Sequence, residues 1–186
     1  MKKCSISKTL DKRLSPEYIS YRRAWGETEV AYIEGWSAIA IANKIFGYNG
    51  WSSTIKEIKI DFIEEVNKKF IISVSCIVTI TLKDGTQRED VGCGSSESKN
   101  KIIGIEKAKK EAATDAIKRT LRQFGNALGN CCYDKEYLAF IKKNRKQTKP
   151  KFNSNDLLDR NFIYENQDSS EIDILASFNS EAYKDK

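Results

Sequence analysis

Apolar and polar residues alternate most cleanly between Phe70 and Leu82. Phe70, Ile72, Val74, Cys76, Val78, Ile80 and Leu82 fall on one side, while Ser73, Ser75, Thr79 and Thr81 largely fill the other. A period of two is that of a strand with one buried face. Ile58, Ile60 and Phe62 alternate with Lys59 and Asp61 in the same way and predict a strand before it. Lys83-Asp84-Gly85 supplies a hairpin turn, since Asp-Gly suits positive φ, and Thr86 to Cys93 returns as a third strand. Helical periods flank this meander. Lys8 to Leu14 predicts a short amphipathic helix stopped before Pro16, and Trp36 to Gly47 a helix closed by a C-terminal glycine. Lys107 to Cys131 reads as one long helix ending in two Gly-Asn pairs, and Asp134 to Asn144 as a further helix. The expected fold is α+β: an antiparallel three- to four-stranded β-meander packed against a long helix, with flanking helices.

The long helix carries the strongest chemical signal. Lys107, Lys110, Lys118 and Arg122 are read as one polar side, and Ala113, Ile117, Leu121 and Phe124 as the side that meets the core. Only Glu111 and Asp115 interrupt the positive charge between Lys107 and Arg122, so the i,i+4 compensation of an ordinary solvated helix is sparse. Such a helix suits phosphate.

Charge along the chain points the same way. Residues 1–151 hold 29 Lys and Arg against 18 Asp and Glu, whereas residues 152–186 hold 3 against 8. A basic body with an acidic tail attracts polyanions, and nucleic acid suits it better than a membrane surface because no apolar run approaches about 20 residues. The N-terminal MKKCSISKTL lacks the apolar core of a signal peptide, so an intracellular chain is expected. There is no histidine, and Cys4, Cys76, Cys93, Cys131 and Cys132 contain no C-x-x-C pair. Structural zinc and histidine-dependent catalysis are excluded, and the thiols are expected to be reduced and mostly buried. No metal site, catalytic residue or cofactor is implied.

The segments EYIS (Glu17–Ser20), YIEGW (Tyr32–Trp36), FGYNGW (Phe46–Trp51), LKDG (Leu82–Gly85), EDVGCG (Glu89–Gly94) and EKAKKEAATDAIKRTLRQFGNALGN (Glu106–Asn130) together resemble the Rad-fifty-two (Rad52) family of eukaryotic single-strand annealing proteins. The likeness covers about residues 8–142. It implies a ring-forming N-terminal domain that holds single-stranded DNA in a basic outer groove and pairs it with a complementary strand, without nucleotide hydrolysis. Carried onto this chain, the inner groove is Arg22, Lys118, Arg119 and Arg122, and an outer DNA site uses Lys69, Lys99 and Lys110. The implied setting is double-strand break repair by homologous recombination in the nucleus. The implied partners are single-stranded DNA, further copies of the chain, and in longer members a Rad-fifty-one-type recombinase and replication protein A.

Two other readings of the residues stand beside this one. The β-β-β-α core is of the kind found in double-stranded RNA-binding domains, although that fold is about half this length and normally uses a histidine-bearing loop. A nuclease would gather Asp61, Glu64, Glu65, Glu89 or Asp90 around magnesium. Tyr18, Tyr21, Trp25 and Tyr32 lie near Arg22 and Arg23 and are candidates for base stacking or for core and subunit contacts. The DNA-binding and self-assembly domain is expected over residues 1–148. Residues 149–186 are expected to form an acidic, mostly disordered tail.

Overall fold

A computed structural model describes residues 2–23 and 29–143, with side chains from residue 6 onward. Trp25, the side chain of Cys4, the basic run after Lys143 and the expected tail at 149–186 lie outside the described residues.

In chain order the elements are α1 (Lys2–Leu10), β1 (Ile19–Arg23), β2 (Glu29–Ile33), α2 (Gly35–Phe46), β3 (Trp51–Val66), β4 (Lys69–Leu82), β5 (Gln87–Ser98), α3 (Lys101–Arg122) and α4 (Lys135–Lys143). Two short 3₁₀ turns, Asn126–Leu128 and Asn130–Tyr133, join the last two helices. β3, β4 and β5 form an antiparallel sheet in sequence order, and β1 and β2 form a separate antiparallel pair. The fold is α+β as the patterning implies.

The alternation in β4 has the expected consequence. Ile72, Val74, Cys76, Val78 and Ile80 are fully buried under α3. Gly85 takes φ 86° in the β4–β5 turn, and Gly47 takes φ 88° at the end of α2. At the β3–β4 turn Asn67 and Lys68 both adopt positive φ, 51° and 62°, as a two-residue hairpin requires.

The helix boundaries differ from the sequence reading. α1 ends at Leu10, four residues before the expected stop. α3 begins at Lys101 because Asn100 caps it, its Oδ1 accepting the Ile102 and Ile103 N–H groups at 2.9 and 3.3 Å. It ends at Arg122 rather than at Cys131. Gly125 at φ 155° and Gly129 at φ 104° turn the backbone out of the helical region, and a Cβ at Gly125 would strike Leu10. β5 runs to Ser98, so the glycine-containing VGCGSSES is strand. β3 spans Trp51–Val66, and a bulge between Ile60 and Phe62 turns Phe62 to the face opposite Ile58 and Ile60.

The buried side of α3 includes the expected row, with Leu121 fully buried and Ala113, Ile117 and Phe124 packed against the core at partial burial. Its other innermost residues are Gly104, Ala108, Ala112, Ala116 and Thr120. This stripe of small residues rests on the two glycines of β5. A Cβ at Gly92 would fall on backbone atoms of Ala112 and Ala116, and one at Gly94 on backbone atoms of Ala108 and Ala112. Helix and strand backbones therefore nearly touch. Along the free edge of β5, three outward N–H groups are covered by carboxylates. Val91 donates to Asp90 Oδ1 at 2.8 Å, Cys93 to Asp115 Oδ2 at 3.3 Å, and Ser95 to Glu111 Oε2 at 3.0 Å.

Because α3 lies over β4 and β5, part of the same sheet face stays bare. Ile55, Ile58 and Ile60 pair with Val78, Cys76 and Val74, yet remain 53, 39 and 37% exposed.

Gly94→Ala forces the α3 backbone away from β5. It should destabilise the fold by about 1–3 kcal/mol, the usual cost of overpacking, while Gly85→Ala, whose Cβ meets nothing within 4 Å, costs only its φ strain. Urea denaturation of both variants at equal protein concentration checks the difference.

Candidate nucleic-acid interface

The cationic site is built from two elements that the sequence separates by about a hundred residues. In the β1–β2 pair, Ser20, Arg22, Val30 and Tyr32 share one face because Ser20 pairs with Tyr32 and Arg22 with Val30. Ile19, Tyr21, Ala31 and Ile33 turn the other way, into the core. Arg22 and Tyr32 are thus diagonal neighbours, and the guanidinium sits 5.7 Å from the ring centroid. Lys118 reaches the same ring from α3, its Nζ 5.4 Å from the centroid. One tyrosine therefore supports a cation from the strand and a cation from the helix. Its hydroxyl donates to Glu34 Oε1 at 2.7 Å, and this bond, aided by burial, holds the phenol above its ordinary pKa. Tyr32 stays neutral.

The other two expected groove residues share an anion. Arg119 donates from Nε and Nη2 to Asp90 Oδ1 at 3.3 and 3.2 Å, and Arg122 Nη2 lies 3.7 Å from Oδ2. Gln123 also donates to Oδ2, at 3.0 Å. Burial pushes the Asp90 carboxyl up in pKa. The Val91 N–H, the Gln123 amide and the Arg119 guanidinium outweigh that and hold it below the usual carboxylate range. Arg122 stacks over Tyr133, 4.5 Å from its centroid.

Arg22, Lys118, Arg119 and Arg122 all line one open hollow of about 220 Å³, with Tyr32, Tyr133 and Cys132. A second hollow of about 370 Å³ adjoins it and is lined by Arg22, Cys93, Lys110 and Lys118 together with Glu111 and Asp115. The two share Arg22, Asp115 and Lys118, so they form one groove along α3. Among the described residues Arg22, Lys110 and Lys118 form no ion pair within 4 Å. No carboxylate within 4 Å among the described residues cancels their charge.

The model of the Rad52/22 family double-strand break repair protein matches residues 2–151. The chain belongs to the Rad52/22 family. It is 57% identical over 139 residues to the DNA repair and recombination protein RAD52 of Candida glabrata, covering 74% of this chain and 28% of that one. It is 54% identical over 153 residues to RAD52 of Saccharomyces cerevisiae (82% and 32%), and 48% over 155 residues to rad22 of Schizosaccharomyces pombe (82% and 33%). The chain thus spans about a third of the length of these Rad52/22 relatives.

Of the residues expected in the outer site, two share a neighbourhood and the third does not. Lys69 and Lys99 are at one end of the sheet, where Phe70 pairs with Ser98, and Lys69 is bonded to Glu97. Lys110 lies instead in the groove beside Lys118. Sequence reasoning missed Tyr133, and it placed Asp90 only among possible metal ligands. The period-two signal of β1 and β2 was present in ISYRR and EVAYI but short.

The acidic residues of the nuclease reading are dispersed. Asp61 accepts a hydrogen bond from Ser75, Glu89 is held by Thr79 and Lys56 on the far side of its strand from Asp90, and Glu64 and Glu65 alternate along β3. Among the described residues no three His, Cys, Asp or Glu side chains converge on a metal position. Nor is any helix there long and apolar enough to cross a membrane. Cys76 and Cys131 are buried thiols as expected, but Cys93 is exposed and Cys132 half-buried, both bordering the groove.

The depressed Asp90 pKa fixes the sign of a pH effect. A carboxyl with a lowered folded pKa stabilises fully above its unfolded value of about 4 and loses that contribution as pH falls through the folded value. The stability gap between wild type and Asp90→Asn should be constant from about pH 8 to 5 and close below about pH 4. Thermal melts across this range measure it.

Proposed function

We propose that this chain binds single-stranded DNA along the groove of α3 and β1 and anneals complementary strands without nucleotide hydrolysis, as a self-assembled oligomer of the ring type, in nuclear recombination repair. One observation carries the reading. Arg22, Lys118, Arg119 and Arg122, drawn from distant parts of the chain, converge on one open hollow. The naming of the relatives as DNA repair and recombination proteins supports the same setting.

The physics of annealing suits such a groove. Two polyanionic strands approach only if cations neutralise phosphates along a track while the bases stay accessible. The cations here are positioned by rings and by one shared carboxylate rather than cancelled one for one. A double-stranded RNA module would place its contacts on the β-β-β-α core alone, whereas this groove requires Arg22 and Tyr32 from the separate β1–β2 pair. Self-assembly draws support from the bare stripe of Ile55, Ile58 and Ile60, which a second copy would bury.

Annealing of two complementary labelled oligonucleotides without ATP tests the activity. Arg22→Ala and Lys118→Ala/Arg119→Ala should slow it while keeping the wild-type elution volume. The slope of log affinity against log salt should fall by about 0.7 for each phosphate contact removed. A well-folded wild type that anneals nothing would refute the reading.

Assembly has its own test. Ile58→Lys should shift the light-scattering mass of the oligomer toward the single chain with the circular-dichroism spectrum unchanged. An unaltered mass would take the stripe out of the contact.

A further inference from the structure

The groove contains one aromatic side chain that the account above leaves without work. Tyr133 is 62% exposed although it lies among four cations. Tyr32 differs from it sharply: Tyr32 is half-buried, two cations occupy its ring, and its hydroxyl is committed to Glu34. Among the described residues the Arg122 guanidinium is the cation over the Tyr133 ring, and the residue otherwise stays largely exposed.

The backbone beneath this ring is tightly held. Tyr133 closes the 3₁₀ turn Asn130–Tyr133, where the Cys132 N–H donates to Gly129 O and the Asp134 N–H to Cys131 O, each at 3.1 Å. Asp134 then caps α4 through the Glu136 and Tyr137 N–H groups, both at 3.1 Å. A flat ring on a fixed turn, steadied by a guanidinium, loses little conformational freedom when a second flat group stacks on it.

Arg122 itself is incompletely satisfied. Its Nε is buried with no hydrogen-bond partner among the described residues. Its closest carboxylate oxygen, at 3.7 Å, is already bonded to Gln123, while Arg119 takes Oδ1 with two donors. Arg122 therefore keeps donor capacity for a further anion.

We propose that Arg122 and Tyr133 form a nucleotide subsite, the guanidinium taking a backbone phosphate and the open face of the tyrosine stacking one nucleobase. The assignment rests on the single-stranded DNA reading above and adds to it a contact with a base. Every base has a π-face, so the stack is indifferent to sequence. One ring per chain holds one base and leaves the neighbouring bases free to pair. Stacking thus registers the strand on each copy without blocking annealing.

The test compares an oligothymidylate with an abasic strand of equal length and charge, by fluorescence anisotropy, using the whole chain and variants of matched oligomeric mass. Wild type should bind oligothymidylate more tightly than the abasic strand. Tyr133→Ala should weaken oligothymidylate binding by roughly tenfold or more, bind the abasic strand within about twofold of wild type, and keep the wild-type salt slope, since no phosphate contact is removed. Tyr133→Phe should bind both strands like wild type. Equal losses on both strands in Tyr133→Ala would show that the ring only props Arg122, and no loss on either would show that it touches nothing; each overturns the subsite. If wild type binds neither strand, the groove reading itself fails and the subsite with it, whereas the other adverse results leave the groove intact.

Discussion

The close contact between α3 and β5 is the constraint on which the rest depends. Gly92 and Gly94 on the strand and Ala108, Ala112 and Ala116 on the helix let two backbones meet without side chains between them. A helix held this close cannot roll. Its rotation decides that Lys118, Arg119 and Arg122 face the hollow and that Thr120 and Leu121 look inward. It also brings Glu111 and Asp115 to the strand's outward N–H groups, so the two acidic residues that interrupt the basic run serve the sheet. Larger residues at the contact would lift the helix and reaim every cation on it.

Within the groove, the chain faces a conflict between order and charge. Long basic side chains left free are mobile, and those paired one for one with carboxylates are neutral. Rings and a single shared anion resolve this. Tyr32 locates Arg22 and Lys118 without cancelling them, and Asp90 serves two arginines at once, leaving the triad with net positive charge. A counter-ion in a half-buried place is costly to strand, which ties the fold's stability to the same residues that face the ligand.

Much of this was legible in the residues, and the remainder was hidden for identifiable reasons. β4 showed itself through seven alternating apolar positions, and the β4–β5 turn through Asp-Gly. The innermost stripe of α3 was hidden because it is lined with alanine and glycine, whose weak hydrophobic signal is overshadowed by Ile117 and Phe124, which pack beside it on the core. The start of α3 was set by Asn100, a side-chain cap seven residues before the apparent basic run at Lys107. Lys118 and Arg122 were visible on the polar side of the helix, while Arg22 and Arg119 came from the family resemblance. Periodicity along one helix has no means of finding Arg22 on a distant strand, nor of seeing that Tyr133 would be turned back under Arg122 by two glycines.

The carboxylates that cover the free edge of β5 have a bearing on solubility. A sheet polymerises in series only when each copy offers two open edges, one to receive a strand and one to present. Here β3 is long, rich in β-branched residues and bare, the kind of strand that seeds fibres. With Asp90, Asp115 and Glu111 occupying three donors on the opposite margin, that edge is blunted against a further strand. The chain carries an adhesive strand and a chain terminator in the same sheet.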